Sequence, residues 1–123
     1  MEPDEFTARL MSDMEPDLLE FIKNKINSFI KWDLIRFFHE NPHTVDTAEN
    51  IARYAGRNPV AVKPELEELA AAGVMQQQQL GEVALYTLTH DEGTRQLVRR
   101  FAQACEDRRF RVKAVYHIIK GMN

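Results

Sequence analysis

Cysteine is almost absent: Cys105 stands alone in 123 residues. One chain can therefore form neither an internal disulfide nor a thiolate-rich zinc site, and Cys105 reads as a core filler or a packing residue between chains. Long apolar runs are missing too. Leu34-Ile35 and Phe37-Phe38 are interrupted by charge within a few residues, far short of the ~20 apolar residues that span a bilayer, so no membrane partner is expected. Met1 to Arg9 open on acids and lack a basic segment followed by an apolar stretch, which reads as a cytoplasmic protein. The sequence has no glycine-rich phosphate loop, no Gly-x-Ser-x-Gly elbow and no Cys-His nucleophile arrangement, so catalysis has no foothold. His39, His43, His90 and His117 lack the spacing of a metal site. Neither an enzyme nor a cofactor is expected.

An excess of base is also lacking. Net charge is −3, and its distribution matters more than its sum. Residues 1–42 hold nine acids against five bases, 43–90 six against three, and 91–123 four against eight. The basic character sits at the C-terminal end, whereas a DNA-reading element ordinarily concentrates Lys and Arg.

What is present is helical periodicity. Residues 1–16 form an acidic arm punctuated by Pro3 and Pro16. From Asp17, a residue suited to a helix N-terminus, Leu18, Leu19, Ile22, Ile26, Phe29 and Ile30 recur at three- and four-residue steps. The pattern continues through Trp32, Leu34, Ile35, Phe37 and Phe38 to Asn41-Pro42. It predicts one long helix of roughly 36 Å, or two with a bend near Ser28 to Lys31. Core packing is the reading for Phe29, Trp32, Phe37 and Phe38, ahead of a ligand pocket.

Asp46 or Thr47 can cap the next helix, whose face is Ile51, Ala52 and Ala55 and which ends at Gly56. A second helix follows Arg57-Asn58, with Val62, Leu66 and Leu69 inward and Gly73 as its stop. Pro64 either bends this helix or begins it. Val74 to Gln79 and Val83 to Thr89 flank Leu80-Gly81-Glu82 and predict a β-hairpin. Thr89 and Glu92 have the spacing of a capping box, so a last helix is expected from near His90. In it Val98, Phe101, Cys105, Arg108, Val112, Val115, Ile119 and Met122 alternate steps of three and four, the seam of a coiled coil or of a long helix pair. Val98, Phe101, Cys105, Arg108, Val112, Val115 and Ile119 are the expected dimer interface.

Helix, Ile51-Ala52, Gly56, Asn58, Val62, Leu66, Leu69 and Ala72-Gly73-Val74 stand at a spacing that resembles winged helix-turn-helix transcription regulators of the ArsR-like and MarR-like kind. Tyr86-Thr87-Leu88-Thr89 with Gly93 is similar to the wing exit of MarR-like and PadR-like regulators. The resemblance covers residues 46–95. It implies a mainly α fold with a small β-hairpin, a winged helix-turn-helix domain over 17–95 with long N- and C-terminal helices, and a dimerisation helix over 96–123. It also implies a homodimeric DNA-binding regulator. Candidate contacts to double-stranded DNA are Arg53, Arg57, Asn58, Lys63, Gln77 and Gln79.

The reading positions depart from the family. They hold Pro59, Val60, Ala61, Lys63, Pro64 and Glu65, and the wing tip, Gln79-Leu80-Gly81-Glu82, has no cation. Glu65, Glu67 and Glu68 carry the wrong sign for phosphate unless turned away. The alternative expectation is a winged-helix module that recognises protein through Val60, Ala61 and Pro64. The basic face of the last helix is expected to pair with the acidic arm, of its own chain or of a partner.

Overall fold

The computed structural model describes residues 13–122; the reading of Met1 to Arg9 and most of the acidic arm lie outside them. In chain order the elements are α1 (Pro16–Asn24), α2 (Phe29–Glu40), β1 (Val45–Asp46), α3 (Ala48–Ala55), α4 (Pro59–Ala71), β2 (Met75–Leu80), β3 (Val83–Leu88), α5 (Glu92–Ala104) and α6 (Arg108–Gly121).

Of the two readings of the first helical stretch, the structure has the one with two helices, broken just ahead of Phe29. Lys25 closes α1, and Ser28, with extended backbone, caps α2 by accepting a hydrogen bond from the Lys31 amide at 3.1 Å. The break lets α2 turn inward, where Leu34, Ile35 and Phe38 are fully buried. Helix α1 begins one residue before Asp17, on Pro16, whose missing N–H costs nothing in a first turn.

Helices α3 and α4 end alike. Gly56 and Gly73 take positive φ of 70° and 81°. In each case the next residue's amide reaches back five positions, Arg57 to the Ala52 carbonyl at 2.8 Å and Val74 to the Leu69 carbonyl at 2.9 Å. This is the Schellman ending, and it sets both the turn between the helices and the exit toward the hairpin. A Cβ at Gly56 would meet no atom within 4 Å, so Gly56→Ala isolates backbone strain. It is expected to cost about 1–2 kcal/mol in a urea melt, without changing the circular dichroism spectrum of the native state.

Pro64 lies inside α4 and does not begin it, and Asn58 to Val62 are not a separate turn: the helix starts on Pro59 with Asn58 as its cap. Proline removes the amide that would bond the Val60 carbonyl, but Val60 is 83% exposed, so water can take that place. The inward residues Val62, Leu66 and Leu69 fall on one face and are fully buried. They pack on α2 and α3.

The hairpin pairs Met75 with Leu88 through to Leu80 with Val83, turning on Gly81 at φ 63°. A third strand, not apparent in the sequence, joins it. Val45 and Asp46 pair with Thr87 and Tyr86, giving a sheet of order β1-β3-β2.

The single last helix is also two. Asp91 caps α5, accepting from the Thr94 amide at 2.9 Å, so the Thr89-Glu92 capping box does not form. Thr89 instead extends the hairpin, its amide donating to the Val74 carbonyl at 3.0 Å. After Cys105 the chain turns, and Asp107 caps α6 through the Arg109 amide. Arg111 Nη1 closes this corner on the Cys105 carbonyl at 2.6 Å. Helix α6 then packs against α1. Burial pushes the Cys105 thiol up to about 11, against the pull of Arg36 and Arg111, so it remains an unreactive thiol near neutral pH.

The fold is thus mostly helical, with a small three-stranded antiparallel sheet in a winged-helix-like arrangement. Among the described residues no helix is long and apolar enough to cross a membrane.

Candidate nucleic-acid interface

Asp46 and Thr47 share the start of α3. Thr47 Oγ1 accepts from the Asn50 amide at 3.2 Å, while Asp46 accepts from the Asn50 side chain at 2.8 Å, the Thr47 amide at 2.8 Å and the Tyr54 hydroxyl at 3.1 Å. These bonds, led by Asn50, hold the Asp46 carboxyl below its usual range. The same contact raises the Tyr54 hydroxyl. Tyr54 in turn stacks on Phe37, with ring centroids 5.9 Å apart and planes 18° from parallel. The outer face of α3 is therefore a fixed surface, on which Arg53 is exposed.

At the turn, two sequence candidates are already occupied. Asn58 Oδ1 accepts from the Val60 amide at 2.8 Å, so its oxygen serves as the helix cap. Arg57 donates from Nε at 2.8 Å and from Nη2 to a single oxygen of Asp33 on α2. That pair is partly exposed, with side chains at 37% and 40%, and it directs the guanidinium back toward the domain.

The acids of α4 are disposed in a way the sequence did not show. Lys31 is only 3% exposed. Its ammonium lies 2.7 Å from Glu68 Oε1, 2.7 Å from Asn27 Oδ1 and 3.4 Å from Glu65 Oε2. The buried ammonium thus donates to Glu68 and Asn27 and has Glu65 as a second counter-charge, the pairing that a buried cation needs. Of the three glutamates of α4 only Glu65 is largely covered, its side chain 18% exposed; Glu68, though paired with Lys31, is 62% exposed, and Glu67 is exposed as well. No local charge marks Lys31, because its acidic partners lie 34 and 37 residues away.

Lys63 is exposed on α4 together with Pro59, Val60, Ala61 and Pro64. Gln77 and Gln79 are exposed on β2 opposite Tyr86 and Ala84. Directly opposite residues share a sheet face, so both glutamines lie on the face that Tyr86 turns to the core. Gln79 also donates to the Gly81 carbonyl at 3.1 Å. Between the first turns of α3 and α4 and the hairpin runs an open groove of about 760 Å³. Of the six candidates, Arg53, Lys63 and Gln77 are exposed with no side-chain hydrogen bond among those described, whereas Arg57, Asn58 and Gln79 are each engaged within the chain.

The expected dimer seam divides. Val98, Phe101 and Cys105 are at most 5% exposed within the chain, so they have little surface to offer a partner. Val112 and Ile119 are each 51% exposed and Met122 is 62% exposed; Val115 is half-buried and Arg108 exposed. The described part of the acidic arm pairs within its own chain. Glu15 and Asp17 bind Arg100 at 2.7 and 2.6 Å, and Lys113 donates to the Asp13 carbonyl at 2.9 Å.

No family model matches this chain, and no curated protein does. Among solved structures, a possible transcriptional regulator from Methanosarcina mazei Go1 is similar at 17% identity, covering 75% of this chain and 79% of that one with a TM-score of 0.49.

Proposed function

We propose that the chain is a DNA-binding transcription regulator of the winged helix-turn-helix kind, related to ArsR-like and MarR-like proteins and acting as a homodimer in the cytoplasm. One observation carries the reading: α4 presents Val60, Ala61, Lys63 and Pro64 outward beside the hairpin, while the charges of Glu65 and Glu68 are paired with Lys31. In this reading Val60 and Ala61 supply apolar contacts to thymine methyl groups, and Lys63 and Arg53 hold phosphates. Gln77 and Gln79 donate from the wing. With few cations, affinity for any duplex is modest and falls as salt rises.

Anisotropy titrations of a labelled duplex test this. Binding is expected with Kd of about 10⁻⁶–10⁻⁴ M at low salt. Lys63→Ala should weaken it on every sequence and reduce the salt slope by about one. Arg57→Ala, which the sequence alone would rank beside it, should change affinity little, because Asp33 holds that guanidinium. Absence of binding at low salt contradicts the proposal.

For the dimer, the exposed row Val112, Ile119 and Met122 on α6 is the surface that supports association, since apolar rows of this kind seldom face water. A two-fold pair would match a two-fold operator. Ile119→Glu should convert the sedimentation profile from dimer to monomer with the fold intact. A wild-type chain that sediments as a monomer at high concentration refutes the dimer.

A further inference from the structure

The groove between α4 and the hairpin has a chemistry that DNA does not explain. Part of its lining is apolar and open to water: Val60, Pro64 and Val83 line it, and Val60 and Val83 are 83% and 46% exposed. Its rim is acidic, with Glu49, Glu67 and Glu82 against Lys63. Each rim carboxylate comes from a different element, α3, α4 and the hairpin turn, so the negative charge surrounds the apolar strip. None of the three has an ion-pair partner among the described residues, unlike Glu65 and Glu68. A concave site that joins exposed apolar side chains to a few convergent charges has the make-up of a binding surface, and its rim charge selects the partner's sign.

We infer that this groove docks a short protein segment carrying lysine or arginine on either side of an aliphatic residue. The aliphatic side chain would cover Val60 and Val83, and the flanking cations would meet the rim carboxylates. The inference goes beyond DNA reading and uses part of the same face, so the two ligands should compete.

The probe is a fluorescein-labelled peptide of ten residues alternating arginine and leucine, with a glutamate–leucine peptide as the control. In ¹⁵N-labelled full chain, amide shifts should be confined to the first turns of α3 and α4 and to the hairpin. Glu67→Gln with Glu82→Gln should weaken the arginine peptide about tenfold while leaving duplex affinity equal or higher. Val60→Ala, at a position with little to lose in folding, should weaken the peptide several-fold. Shifts spread over the whole surface, equal binding of the glutamate peptide, unaltered affinity in the glutamine variant, or no shifts at about 1 mM peptide would each overturn the docking site. Duplex titrations run in parallel keep the two readings separate: a chain that binds the peptide in the groove but no DNA retains this site and loses the regulator.

Discussion

Phe101→Ala is expected to cost about 3–5 kcal/mol of folding stability, by the same amount at every protein concentration. The ring is fully buried. It meets Trp32 edge-on, with centroids 5.2 Å apart and planes at 77°, and Phe110 at 6.0 Å. It therefore joins α2, α5 and the first turn of α6, and truncation leaves a cavity that three elements must collapse to fill. Trp32 is the sole tryptophan, so intrinsic fluorescence in urea reports the loss directly. Were Phe101 an interface residue, the cost would shrink on dilution as the dimer dissociated.

Lys31→Met should destabilise by about 3 kcal/mol. Methionine can fill the volume of the lysine stem, but Glu65, Glu68 and Asn27 lose the donors they face. Glu65 is the costly one, with its side chain 18% exposed, whereas Glu68 at 62% can turn to water. Neutralising both acids at once, in Lys31→Met/Glu65→Gln/Glu68→Gln, should restore most of the loss, since replacing all members of a buried charged group costs less than orphaning some. The single variant should also bind duplex DNA more weakly than wild type. Its freed carboxylates would add to the negative field of α4, and the triple variant should reverse that effect. Chemical denaturation and anisotropy on the same samples check both halves.

The helix-turn-helix was legible because its signals are local. Thr47, Gly56 and Gly73 each do in the structure what short-range backbone rules ask of them, and Val62, Leu66 and Leu69 follow the helical period into the core. The hairpin was legible from Gly81 and its flanking strands. Periodicity left the first break open and missed the second: a three-four stripe says which side of a helix is apolar, and the same stripe can be shared by two helices meeting at a corner. The corners at Lys25 to Ser28 and at Cys105 to Asp107 depend on Ser28 and Asp107 acting as caps. Strand β1 was hidden because a two-residue strand has no period to show.

The candidate site was less legible, for the reason that hydrogen-bond partners far apart in sequence leave no pattern. Arg57 and Lys31 look alike as isolated bases, yet Asp33 claims one and Glu65 with Glu68 the other. Asn58 looked like a base-reading amide and spends its oxygen on its own helix. Conversely, the acidity of α4 looked uniform, yet Lys31 pairs two of its three glutamates and covers Glu65.

The account rests on α4 being the surface that meets duplex DNA. Backbone amide shifts of the labelled full chain, recorded while a duplex is added at low salt, test that most directly. The account predicts that the moving amides are those of Val60 to Lys63, with Gln77 and Gln79 on the hairpin, and that the shifts fade as salt is raised. Shifts gathered instead at Arg108 and Arg109, where α6 begins, or an unchanged spectrum at about 100 μM duplex, would contradict it.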